Sequence, residues 1–259
     1  AQLYTAGGLL LFGFGAKAGC FPLHIWLPKA HPVAPAPASA LLSGILTKAG
    51  VFGIIVITGG LFFSAGNWGL LPTMLGLFTM PLGALLALLS VNLKRTLACS
   101  SISQIGFILT GIGMAVLLSS VGEENGLAVW GTFLHMVNHS LFTLVLFLCA
   151  GAVYMNLHKL NLNDIRGFGR KKPALGFCFL MGSLGIGGIP LWSGYVSKTL
   201  LHESMVEYAK AVGEGAAVLV NPGMASASAG MPGIVTSLLL NPGIWKAAAW
   251  VFLMTGGLT

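Results

Sequence analysis

Apolar residues run through this chain in blocks of about twenty or more, and most polar positions fall in the gaps between them. The first block covers roughly residues 3–28 and is interrupted at Gly19-Cys20-Phe21-Pro22. Others follow at about 38–58, 70–91, 96–118 and 127–155; a sixth, 173–209, is broken internally, and a seventh begins near Trp245. A bilayer core takes about 20 apolar helical residues to cross, so the pattern predicts an all-α integral membrane protein with about seven spans. Between the first two blocks, Pro32, Pro35 and Pro37 exclude a continuous helix, because proline lacks the amide proton and clashes with the preceding turn. Residues 59–69 read as a loop, 156–172 as a polar and basic junction, and the Gly/Ala/Ser/Pro-rich stretch 211–241 as a connector outside the membrane. The chain opens on Ala1, has no signal peptide and stops inside an apolar run, so it reads as an internal stretch of a longer polypeptide.

The broken sixth block carries the most chemistry. Gly182-Ser-Leu-Gly-Ile-Gly-Gly-Ile-Pro-Leu-Trp-Ser-Gly-Tyr-Val-Ser-Lys198 starts as an apolar helix, is interrupted at Gly188 and Pro190, and resumes to present one lysine. Within a membrane such a break leaves backbone groups unpaired, which is tolerated only where neighbouring helices or a wet cavity satisfy them. A lysine beside it is by default an ion or proton site. The first block repeats the arrangement: Pro22 breaks it, Trp26 follows as Trp192 follows Pro190, and Lys17 lies near. Two matching breaks suggest a transporter built from repeats, with its site at the midplane.

Composition removes the soluble alternative. The chain of 259 residues is 56% hydrophobic and 7% charged, with mean hydropathy +0.89, whereas soluble domains carry roughly 25% charged residues. The net charge of +7 does not form a nucleic-acid face, because most basic residues fall at span ends. With alternating spans, Lys29, Lys94, Arg95, Lys159, Arg166, Arg170, Lys171 and Lys172 share one side, and the other holds only Lys210 and Lys246 with Glu123, Glu124 and Glu214. The positive-inside rule places the first group in the cytoplasm. The four cysteines form no C-x-x-C pair, so zinc, iron–sulfur and disulfide readings fall away. No flavin, quinone or nucleotide motif is present, so no cofactor is expected in this chain.

Three lysines lie inside the apolar blocks. Lys17 sits five residues before Pro22, Lys48 about ten residues from either end of its span, and Lys198 just past the second break. A lysine at mid-bilayer costs about 2.5–3.5 kcal/mol on insertion scales, so something must offset it. Lys17 has the alternative of snorkelling to the interface. His135 and His139 are spaced i, i+4, which puts both imidazoles on one face of the fifth helix, and histidine passes protons readily near neutral pH. The same spacing suits a metal, but no acidic or cysteine partner lies nearby in sequence, and simple hydrogen bonding between helices is a further reading. Asn138 is placed to orient one ring or hold a water. Ser43, Thr47, Ser101, Ser103 and Gln104 line a hydrated path or glue helices together. His24 is interfacial or part of a proton exit, and Glu203 has scope to pair with a basic group.

These residues also resemble a known family. Phe21-Pro-Leu-His-Ile-Trp-Leu-Pro28, Ala38-Ser-Ala-Leu-Leu-Ser-Gly-Ile-Leu-Thr-Lys48, Leu93-Lys-Arg-Thr-Leu-Ala-Cys-Ser-Ser-Ile-Ser-Gln-Ile-Gly106, His135-Met-Val-Asn-His139 and Ile189-Pro-Leu-Trp-Ser-Gly-Tyr-Val-Ser-Lys198 are similar to the antiporter-like subunits of respiratory complex I, Mrp-type sodium/proton antiporters and energy-converting membrane hydrogenases. The resemblance implies two inverted five-helix repeats, each with a discontinuous helix. Residues 1–58 would close the first repeat and 70–259 would form most of the second. It implies that Lys17, Lys48, His135, His139 and Lys198 carry protons along the midplane. Two positions depart from it: Thr143 stands where many members have a lysine, and the glutamate that pairs with the first lysine belongs to an earlier helix. The implied function is proton translocation within a redox-driven complex, NADH:quinone oxidoreductase or a hydrogenase, in the prokaryotic inner membrane. Other membrane subunits and a redox arm would be its partners, and a chain of this kind holds no redox centre of its own. The alternative is a multisubunit Na+/H+ antiporter with no redox partner, in which sodium also moves.

Overall fold

The computed structural model describes residues 2–63, 65–214 and 238–258. The bundle is built around its fourth long apolar segment, α6 (Leu93–Ser120), which is buried on every face from Ser101 to Met114. Asn92 caps its start by accepting the Arg95 N–H at 3.3 Å. Its closest neighbour is α5 (Gly66–Leu88), and glycine spacing explains the approach. Gly69, Gly76 and Gly83 recur every seven residues; a methyl on Gly69 would meet the Gly113 carbonyl, on Gly76 the Gly106 carbonyl, and on Gly83 the Ser103 backbone. Lipid is as apolar as leucine, so helices in a membrane are held by such close contact at small residues rather than by a hydrophobic drive.

The first break follows the proline pattern with one correction. Helix α1 (Gln2–Ala18) ends at Gly19 with φ +81°, a short 3₁₀ turn spans Leu23–Ile25, and α2 covers Trp26–Val33 with Pro32 inside its last turn. The chain restarts at Ala36 in α3 (Ala36–Leu41), widens into a π turn at Leu42–Leu46, and continues as α4 (Thr47–Leu61). The expected loop at 59–69 is helical at both ends: Gly59 and Gly60 continue α4 to Leu61, and α5 already starts at Gly66.

After α7 (Gly126–Leu157) comes a short α8 (Phe168–Lys171). The second discontinuous helix is α9 (Pro173–Gly187) and α10 (Ser193–Gly213), separated at Gly188 with φ +72°. The last described helix, α11, spans Pro242–Leu258, starting earlier than Trp245 because Pro242 takes the first helical position. Most of the expected connector 211–241 lies outside the described residues. Among the described residues, five segments are long and apolar enough to cross a membrane: Gln2–Val33, Ala36–Leu61, Asn67–Leu88, Leu93–Ser120 and Gly126–Leu157. The N–H of Leu93 donates to the Leu160 carbonyl at 2.8 Å and that of Leu162 to Val91 at 2.9 Å. Those bonds bring the start of α6 and the basic 156–172 junction to one end of the bundle.

Candidate functional site

Interrupted backbone and buried lysine go together in this fold. In the π turn before α4 the hydrogen-bond register slips by one residue. The Ser43 carbonyl there receives the Thr47 hydroxyl at 2.9 Å and the Lys48 Nζ at 2.6 Å. At the second break the end of α9 frees its last carbonyls. Lys198 Nζ binds those of Ile186 at 2.8 Å and Gly187 at 3.4 Å, and also Gly256 of α11 at 3.4 Å. These carbonyls form the negative end of the α9 dipole, which favours a cation.

The two lysines flank the paired histidines of α7. Lys48 Nζ lies 2.8 Å from His139 Nδ1. His135 Nδ1 lies 3.0 Å from the Ser197 hydroxyl, next to Lys198, whose Nζ stands 4.9 Å from the centre of the Phe107 ring. All four basic side chains are buried, with exposures of 8% for each lysine, 3% for His135 and 2% for His139. The hydrogen-bond network assigns the two histidines opposite tautomers. Ser197 donates to the Gly194 carbonyl at 3.1 Å, so its oxygen accepts from His135 Nδ1–H and leaves Nε2 with a lone pair. A donating Lys48 makes His139 Nδ1 the acceptor and leaves the proton on Nε2. Both Nε2 atoms are buried without a hydrogen-bond partner among the described residues. The arrangement is one lone pair and one N–H a helical turn apart, with an amine at either end.

Lys17 is not part of this cluster. It sits exposed in the last turn of α1, because α1 buries the opposite stripe, Gly7, Leu11, Gly15 and Ala18, largely against α4. Asn138 does not orient a ring; its amide donates to the Ser193 carbonyl at 2.9 Å and ties α7 to the start of α10. Thr143 donates to the His139 carbonyl. Ser43 and Ser101 join hydroxyls at 2.8 Å, while Ser103 Oγ and Gln104 Nε2 are buried without partners among the described residues. Glu203 lies 3.8 Å from His202. Sequence reasoning missed Ser197 and Ser140, whose only signal is adjacency to Lys198 and His139.

Ser140 donates to the Gly44 carbonyl at 2.8 Å, inside the π turn that aims Lys48. A hydrogen bond of this kind contributes about 0.5–1.5 kcal/mol. Ser140→Ala is therefore expected to weaken the hold of α7 on the π turn by about 0.5–1.5 kcal/mol, and Ser140→Thr to restore it. Thermal melting of the two variants in detergent checks this.

The fold and site define a polytopic α-helical membrane protein with buried basic groups strung between helix interruptions. The chain belongs to the NADH:quinone oxidoreductase/Mrp antiporter transmembrane family, whose profile matches residues 1–221. It is 38% identical over 202 residues to hydrogenase-4 component B of Escherichia coli (strain K12), covering 76% of this chain and 30% of that protein. It is 36% identical over 200 residues to NAD(P)H-quinone oxidoreductase chain 4 2 of Synechococcus sp. (strain JA-2-3B'a(2-13)), covering 76% and 36%. The chain thus spans about a third of the length of these curated relatives. A subunit in the structure of the Mrp complex from Dietzia sp. DQ12-45-1b shares the fold, with TM-score 0.74 and 22% identity over 98% of this chain and 40% of that one.

Proposed function

We propose that this chain is the proton-carrying part of an antiporter-like subunit in a redox-driven membrane complex. The observation that carries the reading is the buried row Lys48–His139–His135–Ser197 with Lys198 beside its end. A proton passes from Lys48 to His139 Nδ1, the imidazolium releases its Nε2 proton through one bridging water to the lone pair of His135 Nε2, and His135 gives up its Nδ1 proton on the Ser197 side. Each ring then carries its proton on the other nitrogen, so a ring turn or reverse filling must precede the next passage. Opposite tautomers suit the pair to one-at-a-time transfer. The lysines bind carbonyls that the helix interruptions free, so motion of either break alters how firmly a proton is held there.

The sequence relatives support the redox-driven reading, since their names describe a hydrogenase component and a quinone oxidoreductase chain. Further membrane subunits and a redox arm would be its partners, residues 1–58 and 70–259 would belong to different inverted repeats, and the basic end would face the cytoplasm of a prokaryotic cell. The test is to purify the full-length protein gently from its native membrane. Co-purification of flavin or iron–sulfur subunits is expected; recovery with small membrane subunits alone would replace this reading with a stand-alone Na+/H+ antiporter. In proteoliposomes of that assembly, Ser197→Ala is expected to slow potential-driven proton uptake by roughly tenfold, because His135 loses the partner that sets its tautomer. Uptake unchanged by this substitution would remove Ser197 from the path.

A further inference from the structure

A third lysine sits at a helix interruption, and it has no place in the row of transferring groups. Lys94 Nζ donates to the Ala34 carbonyl, where α2 ends, at 2.8 Å. It stands 5.9 Å from the centre of the Tyr154 ring, and only 4% of the residue is exposed. No carboxylate lies within ion-pair distance of it among the described residues. An ammonium has three donors, and the bond to Ala34 uses one. Lys94 lines a cavity of about 450 Å³, a size typical of ligand sites, whose wall is formed by Pro32–Pro37, Gly151, Tyr154, Met155 and Leu160. The rim is apolar and open: Val33 is 87% and Met155 78% exposed. The cavity lies at the bundle end where the start of α6 meets the 156–172 junction, which carries Lys159, Arg166, Arg170, Lys171 and Lys172.

We infer that this cavity holds the phosphate group of an anionic phospholipid, with Lys94 as its buried counter-charge and the acyl chains lying over Val33 and Met155. Charge complementarity selects the headgroup, because Lys94, unlike Lys48 and Lys198, faces an open cavity with no carboxylate in reach, and an anion there would compensate the buried charge. The apolar rim selects a lipid over a free ion. Basic pockets between membrane helices at such an end suit this class of ligand. The inference stands independently of proton transfer.

The full-length protein in its native assembly would be placed in nanodiscs of phosphatidylcholine and phosphatidylglycerol, then released and weighed by native mass spectrometry. Wild type is expected to retain a phosphatidylglycerol that excess inorganic phosphate does not displace. Lys94→Met is expected to lower its occupancy roughly fivefold, the effect of one basic side chain on an anionic lipid, while Lys94→Arg keeps it. Met155→Glu leaves Lys94 and its bond to Ala34 in place but brings a carboxylate to the exposed rim, and should lower occupancy similarly; it decides the matter if Lys94→Met does not assemble. Equal occupancy in wild type and Met155→Glu would overturn the inference. So would no retained phosphatidylglycerol in wild type, and so would displacement by inorganic phosphate, which would make this a small-anion site.

Discussion

Lys48→Met in the full-length protein is expected to reduce proton translocation by roughly 100-fold or more, the usual scale for losing a positioned proton-transfer group. The substitution keeps an unbranched apolar side chain out to the ε position, with sulfur at δ, and removes the amine. His139 Nδ1 then loses its 2.8 Å partner and the Ser43 carbonyl its 2.6 Å one, and no other described amine reaches either atom. The fold should survive, since the π turn keeps the Thr47 and Ser140 hydrogen bonds to Ser43 and Gly44. The measurement is dye-reported proton uptake under an imposed potential in proteoliposomes, alongside yield of the assembled complex. Retention of half the wild-type rate with normal assembly would remove Lys48 from the path and leave the histidine pair without a donor.

The second large effect is structural. Gly194→Ala is expected to destabilise the second discontinuous helix by about 3 kcal/mol, the upper end of ordinary overpacking. The reason is the crossing of its halves: a methyl on Gly194 would run into the Gly185 carbonyl, a backbone atom that cannot swing aside. The first turn of α10 carries Ser197 and Lys198, so displacing it also opens the Ser197–His135 contact. Gly8→Ala is the control, since a methyl there meets nothing within 4 Å. Thermal melting of the detergent-solubilised complex should fall clearly for Gly194→Ala and stay at or slightly above the wild-type value for Gly8→Ala, since alanine favours a helix interior over glycine. Equal melting of both variants would mean that the halves of this helix are looser than their packing indicates.

Much of the architecture follows from local rules that the sequence states directly. Apolar runs of membrane-crossing length announce spans, and Gly188 and Pro190 interrupt a helix wherever it lies. The i, i+4 spacing of His135 and His139 places them on one face whatever surrounds them. The seven-residue recurrence of Gly69, Gly76 and Gly83 also carried the α5–α6 contact, although only its matching with Gly113, Gly106 and Ser103 gives it meaning.

Lys17 and Lys48 mark where local rules stop. In sequence both are lone lysines in apolar helices, yet Lys17 is exposed on α1 and Lys48 is buried against His139. Burial depends on which helices pack together, and contacts between residues 91 positions apart leave no trace in periodicity. The π turn is equally silent, because a one-residue slip of register arises from the neighbour that accepts it, here Ser140 holding the Gly44 carbonyl. By itself the sequence determined the five long spans, the second break and the chemical inventory, all of which depend on residues near one another along the chain. Only the tertiary structure decided which lysines share a buried row with the histidines, which carbonyls hold them, and that Lys94 stands apart beside a cavity, because each depends on the packing of distant helices.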